Sequence, residues 1–146
     1  MDMKYEVSIV DTSQVENIGQ CFTVFSYLRP HLDEAEFISR VQVQVAEGYT
    51  IACIYMDGEV VAAAGYRVQH YLAWGKILYL DDLITHPQKK NAGLGSALME
   101  WVKHQAKILN CSELHLDTGY QRHDAHRLYL NNGFDLSCHH LSKTIS

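Results

Sequence analysis

The chain has 146 residues, 47% hydrophobic and 20% charged, with two prolines and a formal net charge of −5. This composition suits one globular domain over 1–146, long enough to bury roughly two thirds of its unfolded surface. An acidic chain whose largest basic cluster is Lys89-Lys90 argues against nucleic acid as partner, and no stretch reaches the ~20 apolar residues of a membrane span.

The four cysteines, Cys21, Cys53, Cys111 and Cys138, are widely spaced and include no C-x-x-C pair. With no apolar leader at the N-terminus, reduced thiols and a cytoplasmic location are expected.

Lys4 to Val10 alternates polar and apolar residues, the pattern of a half-buried strand. Asp11, Thr12 and Ser13 offer N-caps for a helix over 13–27, with Val15, Ile18, Phe22 and Phe25 at helical spacing. Arg29-Pro30-His31 breaks it. A second helix is predicted from Asp33, burying Phe37, Ile38, Val41 and Val45 and stopping at Gly48. Tyr49 to Met56 then reads as a strand, Asp57-Gly58 as a two-residue hairpin turn, and Glu59 to Val68 as the returning strand. In the latter, Ala62-Ala63-Ala64-Gly65 is small enough for a helix to pack closely. A loop over 71–76 leads into a strand from Ile77 to Thr85.

A helix is predicted from Gly93 to Leu109, with Leu94, Leu98, Trp101 and Val102 on one side. Ser112 to Asp117 alternates as a strand, a short helix covers 123–131 and ends at Asn132-Gly133, and Phe134 to Ile145 supplies one or two closing strands. The order is that of an α+β fold on a mixed sheet.

Tyr79 to Trp101 is the most informative stretch. A strand carrying two adjacent acids passes through a proline-marked turn and two glycines straight into a helix. The first N–H groups of a helix lack intrahelical partners, the dipole adds positive character there, and glycine lets a ligand approach the backbone. The turn lacks the Walker lysine and the third glycine of a dinucleotide fingerprint, and a G-x-G alone reads equally as a tight strand-to-helix connection.

Two motifs in order resolve that ambiguity. Leu83-Ile84-Thr85-His86-Pro87 followed by Lys90-Asn91-Ala92-Gly93-Leu94-Gly95 resembles the pyrophosphate loop of the GNAT superfamily of acyl-CoA-dependent N-acyltransferases, written Arg/Gln-x-x-Gly-x-Gly/Ala. About thirty residues on, Ala125-His126-Arg127-Leu128-Tyr129-Leu130-Asn131-Asn132-Gly133-Phe134 is similar to the family's Ala-x-x-hydrophobic-Tyr-x-x-x-Gly-Phe segment. The resemblance covers residues 77–135 and extends by element order, β-α-α-β-β-β-α-β-α-β, over the rest. It departs from the family at Lys90, a point charge where an arginine or glutamine is usual, at Asn91 in place of a common glycine, and at Thr85 in place of valine.

The resemblance implies acetyl-CoA as donor, with Leu83, Ile84 and Thr85 along the pantetheine arm. Lys90, Asn91, Ala92, Gly93, Leu94, Gly95 and Ser96 would stand around the pyrophosphate. It implies direct attack by an amine on the thioester, with Tyr129 as general acid; read without the family, Tyr129 is a core aromatic at a helix edge. Tyr79-Leu80-Asp81-Asp82-Leu83 is similar to the acid pair of GNAT diamine acetyltransferases. Neighbours on a strand point to opposite faces, so only one acid is expected in the acceptor cleft: Asp82 as the catalytic residue assisting the amine, with Asp81 in substrate binding. A strand acid that merely holds a loop is the plain alternative.

Nine histidines include His123 and His126 at i, i+3 and the pair His139-His140, but no ligand motif accompanies them, so no metal is expected. The expected acceptor is an amine of a small molecule or peptide, and pairing of β edges into a homodimer is expected by analogy. The alternative is a CoA-binding regulatory or scaffolding module without turnover.

Overall fold

The computed structural model describes residues 5–90, 92–119 and 121–146. They fall into two compact units, Met1–Leu116 and Asp117–Ser146.

The first unit is built on a five-stranded sheet in the order β1-β2-β3-β4-β5, comprising Ser8–Ile9, Thr50–Met56, Glu59–Tyr71, Gly75–Thr85 and Glu113–Leu116. The first four strands run antiparallel and β5 lies parallel to β4. A parallel neighbour requires a crossover, which α4 (Leu94–Ile108) supplies.

Three helices precede β2. The helix predicted over 13–27 divides into α1 (Val15–Gln20) and α2 (Phe22–Ser26), because the Cys21 N–H bonds the Ile18 carbonyl, a tighter three-residue step. The third helix, α3 (Glu34–Ala46), starts at Asp33, whose carboxylate accepts from the Glu36 N–H at 2.8 Å. Ile18, Val24, Phe25, Phe37 and Val41 pack with Tyr49, Ile51 and Cys53 of the β2 stretch to form the core on this side. Alternation along β2 sends every second side chain there. The helix α4 buries Leu94, Leu98, Met99 and Val102, and Trp101 meets Tyr66 of β3 edge-on at 6.0 Å.

Asp57 and Gly58 both adopt positive φ, +54° and +79°, as a two-residue hairpin turn matching strand twist requires. The loop expected over 71–76 is shorter: pairing runs to Tyr71↔Gly75, leaving three residues at the tip. The N-terminal strand is also shorter than expected, Ser8–Ile9, with residues 1–4 outside the described residues.

The second unit contains α5 (His123–Asn131), which ends as expected at Asn132-Gly133, Gly133 taking φ +85°. The closing strands expected over Phe134 to Ile145 do not form; residues 134–146 carry neither helix nor strand. A strand needs a neighbour for its backbone N–H and C=O groups, which one segment's own sequence cannot provide. Leu136, Leu141 and Ile145 are all more than four-fifths exposed. Among the described residues no helix is long and apolar enough to cross a membrane.

Candidate active site

The site begins with a break in strand register. Ala62, Ala63, Ala64 and Gly65 of β3 pair with Thr85, Ile84, Leu83 and Asp82 of β4, but the next residue, Tyr66, pairs with Leu80. Asp81 is therefore an extra residue, a β-bulge, and it resets the alternation of side chains along β4. The expectation that Asp81 and Asp82 point to opposite faces is overturned: both line one cavity. A regular strand would have separated them. The bulge re-aims one.

That cavity, about 300 Å³, also involves Phe25, Leu32, Phe37 and Val41 as apolar wall and Arg29, Arg40 and Tyr49 as polar lining. Each acid is held by an arginine distant in sequence. Arg29, just past α2, donates through Nε at 3.1 Å and Nη2 at 2.8 Å to Asp82 Oδ1, and Nη2 also donates to the Asp81 carbonyl at 3.2 Å. Tyr49 donates from its hydroxyl to Asp82 Oδ2 at 2.6 Å. Arg67 donates through Nε to Asp81 Oδ2 at 2.9 Å. Both Asp82 oxygens are thus engaged, whereas Asp81 Oδ1 accepts no hydrogen bond among the described residues.

One of the small residues of β3, Gly65, also shapes the site. A Cβ on Gly65 would lie 1.7 Å from the Tyr49 hydroxyl oxygen, so glycine makes the space in which that hydroxyl reaches Asp82. Arg67 lies over the Tyr49 ring, 5.6 Å from its centroid.

Burial is the principal influence on Asp81: it pushes the carboxyl above its ordinary value of 3.8, against the opposing pull of Arg67. Burial and then the Asp82 charge raise the Tyr49 hydroxyl well above 10, so it stays a donor.

The bulge has a second effect. Pairing between β4 and β5 runs from Ile77↔Glu113 to Leu80↔Leu116 and stops one residue before Asp81. From Asp82 to Thr85, β4 is paired to β3 on one side and to no strand among the described residues on the other. Leu83, Ile84 and Thr85 lie on this open edge, which can accept an extended chain as an added strand.

The strand leads into a single 3₁₀ turn, Pro87–Lys89, and then the glycine loop. Gly93 is the N-cap of α4 with φ +80°, a left-handed conformation that favours glycine, and it brings no side-chain cap. The first N–H groups of α4, from Leu94, Gly95 and Ser96, precede the Ala97 N–H to Gly93 carbonyl bond. They meet the requirements of an anion site. The Tyr5 hydroxyl donates to the Ala92 carbonyl at 2.6 Å and ties down the loop. Lys90 and Ser96 are exposed, and Asn91 lies outside the described residues.

In the second unit, Tyr129 is buried on α5, its ring edge-on to Phe134 at 5.9 Å. Burial raises its hydroxyl above 10, opposed by the Arg122 charge. Arg127 pairs with Asp124, and the His126 ring contacts the Gly119 carbonyl at 2.8 Å. Among the described residues no three metal-ligating side chains cluster.

Sequence reasoning missed Arg29, Tyr49 and Arg67. Arg29 was legible only as part of a helix breaker and Tyr49 only as the start of a strand. The available signal was the need itself, since two acids on an otherwise apolar strand demand cationic partners.

The model of the acetyltransferase (GNAT) family matches residues 13–134. Among curated proteins, an uncharacterized N-acetyltransferase, YhdJ, of Bacillus subtilis is 26% identical over 132 residues, covering 89% of this chain and 93% of that protein. The aminoalkylphosphonate N-acetyltransferase of Salmonella typhimurium is 29% identical over 92 residues, covering 61% and 58% respectively. Among solved structures, an aminoglycoside N-acetyltransferase in complex with CoA superposes with TM-score 0.81 at 13% identity, covering 99% of this chain and 97% of that one, a likeness of fold.

Proposed function

Because this chain belongs to the acetyltransferase (GNAT) family, we propose that it moves the acetyl group of acetyl-CoA to the amine of a small molecule by direct attack. The observation that carries the reading is the bulge at Asp81. One extra residue opens the β4 edge on one side and brings two carboxylates into one cavity on the other.

The donor half fits the residues present. The open backbone of Leu83–Thr85 would pair with the pantetheine arm, and the uncapped start of α4 behind Gly93 would hold the pyrophosphate, with Lys90 and Ser96 at hand. The acceptor half favours a small amine over a peptide, because a cavity of about 300 Å³ is at the small end of ligand pockets. The name of the Salmonella relative, an enzyme of aminoalkylphosphonates, supports a small-molecule acceptor too.

In the reaction, Asp81 binds the ammonium through its open oxygen and takes up its proton, directly or through water. The freed nitrogen attacks the acetyl carbon, the carbon–sulfur bond breaks as Tyr129 gives its proton to the leaving sulfur, and the nitrogen releases its second proton through solvent, which restores the tyrosine hydroxyl. Asp81 is preferred to Asp82 as base because both oxygens of Asp82 are committed to Arg29 and Tyr49. In this reading Asp82 positions the acceptor side of the site.

The reading is tested by thiol release from acetyl-CoA with a panel of small amines, comparing the parent with Asp81→Asn, Asp82→Asn and Tyr129→Phe. Turnover that falls most in Asp81→Asn and Tyr129→Phe is expected. Tight CoA binding without turnover on any amine would favour a CoA-binding module.

A further inference from the structure

The formal charges lining the cavity balance, two arginines against two aspartates, but they are not all paired. Arg67 answers Asp81 and Arg29 answers Asp82, each through a direct hydrogen bond. A third guanidinium, that of Arg40, also lines the cavity, and it forms no ion pair or side-chain hydrogen bond among the described residues. Arg40 is an exposed residue of α3 that stands at the mouth of the cavity. Phe37, Arg40, Val41 and Gln44 all line the cavity, and their spacing of i, i+3, i+4 and i+7 is one face of a helix. The face that buries Phe37 and Val41 therefore presents Arg40 at the same opening, with His31 also in the lining.

Two functions are left without a protein partner: an anion acceptor oxygen on Asp81 and a cationic fork on Arg40. Between them the lining is apolar, from Phe25, Leu32, Phe37 and Val41. We propose that the acceptor is a small amine that also bears an anionic group on a short aliphatic chain, the ammonium meeting Asp81 and the anion meeting Arg40. A guanidinium suits this task because its fixed donors match the paired oxygens of a carboxylate or phosphonate. An acceptor of this kind supplies a donor to the open Asp81 oxygen and an anion to Arg40, whereas a purely cationic amine would meet Arg40 without compensation.

The inference rests on the acetyl-transfer reading of this site, and matched acceptors separate the two. Thiol release from acetyl-CoA is measured with 2-aminoethylphosphonate, 3-aminopropanoate and n-propylamine, for the parent, Arg40→Gln and Arg40→Lys. Since a hydrogen bond to a charged group contributes about 1.5–3 kcal/mol, kcat/KM for the anionic acceptors should exceed that of propylamine by about tenfold to a hundredfold. That ratio should fall toward one in Arg40→Gln and recover partly in Arg40→Lys, with KM of the acceptor carrying most of the change. Comparing the phosphonate with the carboxylate distinguishes the two sources of negative charge. A parent that turns over propylamine as well as either anionic amine overturns the inference and leaves acetyl transfer standing, and so does a ratio preserved in Arg40→Gln. Absence of thiol release with every amine overturns the transfer reading and the inference with it.

Discussion

Tyr49 and Gly65 are matched as an object and the space it occupies. The tyrosine hydroxyl lies where a Cβ of residue 65 would be, 1.7 Å away, and from there it donates at 2.6 Å to Asp82. A backbone without a side chain on β3 thus decides how an acid on β4 is held.

Gly65→Ala should evict the Tyr49 ring and cost about 1–3 kcal/mol of stability through overpacking, with loss of the Asp82 contact. Tyr49→Phe keeps the ring and removes only the hydroxyl, for a cost of about 2 kcal/mol, the value of a hydrogen bond to a charged group. Urea unfolding of both variants measures this. A Gly65→Ala protein as stable and active as the parent would refute the packing.

Gly93→Val should weaken CoA binding by at least tenfold while the protein stays folded. Nothing lies within 4 Å of a Cβ at this position, so the penalty comes from φ +80° alone, which a β-branched residue avoids by moving the backbone at the start of α4. Calorimetric titration with CoA, alongside circular dichroism, reads the two effects separately. Unaltered CoA affinity would remove the glycine loop from the donor site.

The acid limb of kcat/KM should lie above the ordinary aspartate value of 3.8, because burial raises Asp81 and the base must be ionised to act. The sign for stability is opposite. A raised carboxyl holds its proton more tightly when folded, so this contribution is complete below the unfolded value and is lost as pH rises through the folded one. Asp81→Asn should abolish the acid limb and flatten that dependence. An acid limb that survives the substitution would assign it to another group.

Tyr129→Phe should lower kcat by about a hundredfold, the lower range for a general acid, with little change in CoA affinity. With the hydroxyl held above 10 by burial, the parent should lose activity on the alkaline side only beyond pH 10. Stopped-flow acetyl transfer across pH, for both proteins, tests it. Equal kcat in the two would return Tyr129 to a packing role against Phe134.

Local features were legible in the sequence because their causes are local. Asp57-Gly58 marks its turn by conformational preference, Asp33 caps α3 with its own carboxylate, and Gly133 ends α5 at positive φ. The glycine loop and the acid pair were equally visible, since Gly93 and Asp81-Asp82 are defined by residues a few positions apart. The closing strands over 134–145 failed for the complementary reason. They were expected from the segment alone, but pairing belongs to two strands, not one.

The sequence by itself determined the order of elements as far as α5, the glycine-bearing turn before α4 and the identity of the acids. Propensity, spacing and capping act within a few residues, so those features need no knowledge of the fold. Only the tertiary structure decided that Asp81 bulges, that Arg29, Tyr49 and Arg67 hold the two acids, and that Arg40 shares their cavity. Strand register depends on the partner strand, and a buried carboxylate takes its cation from wherever the chain returns, 14 residues away for Arg67 and 53 for Arg29.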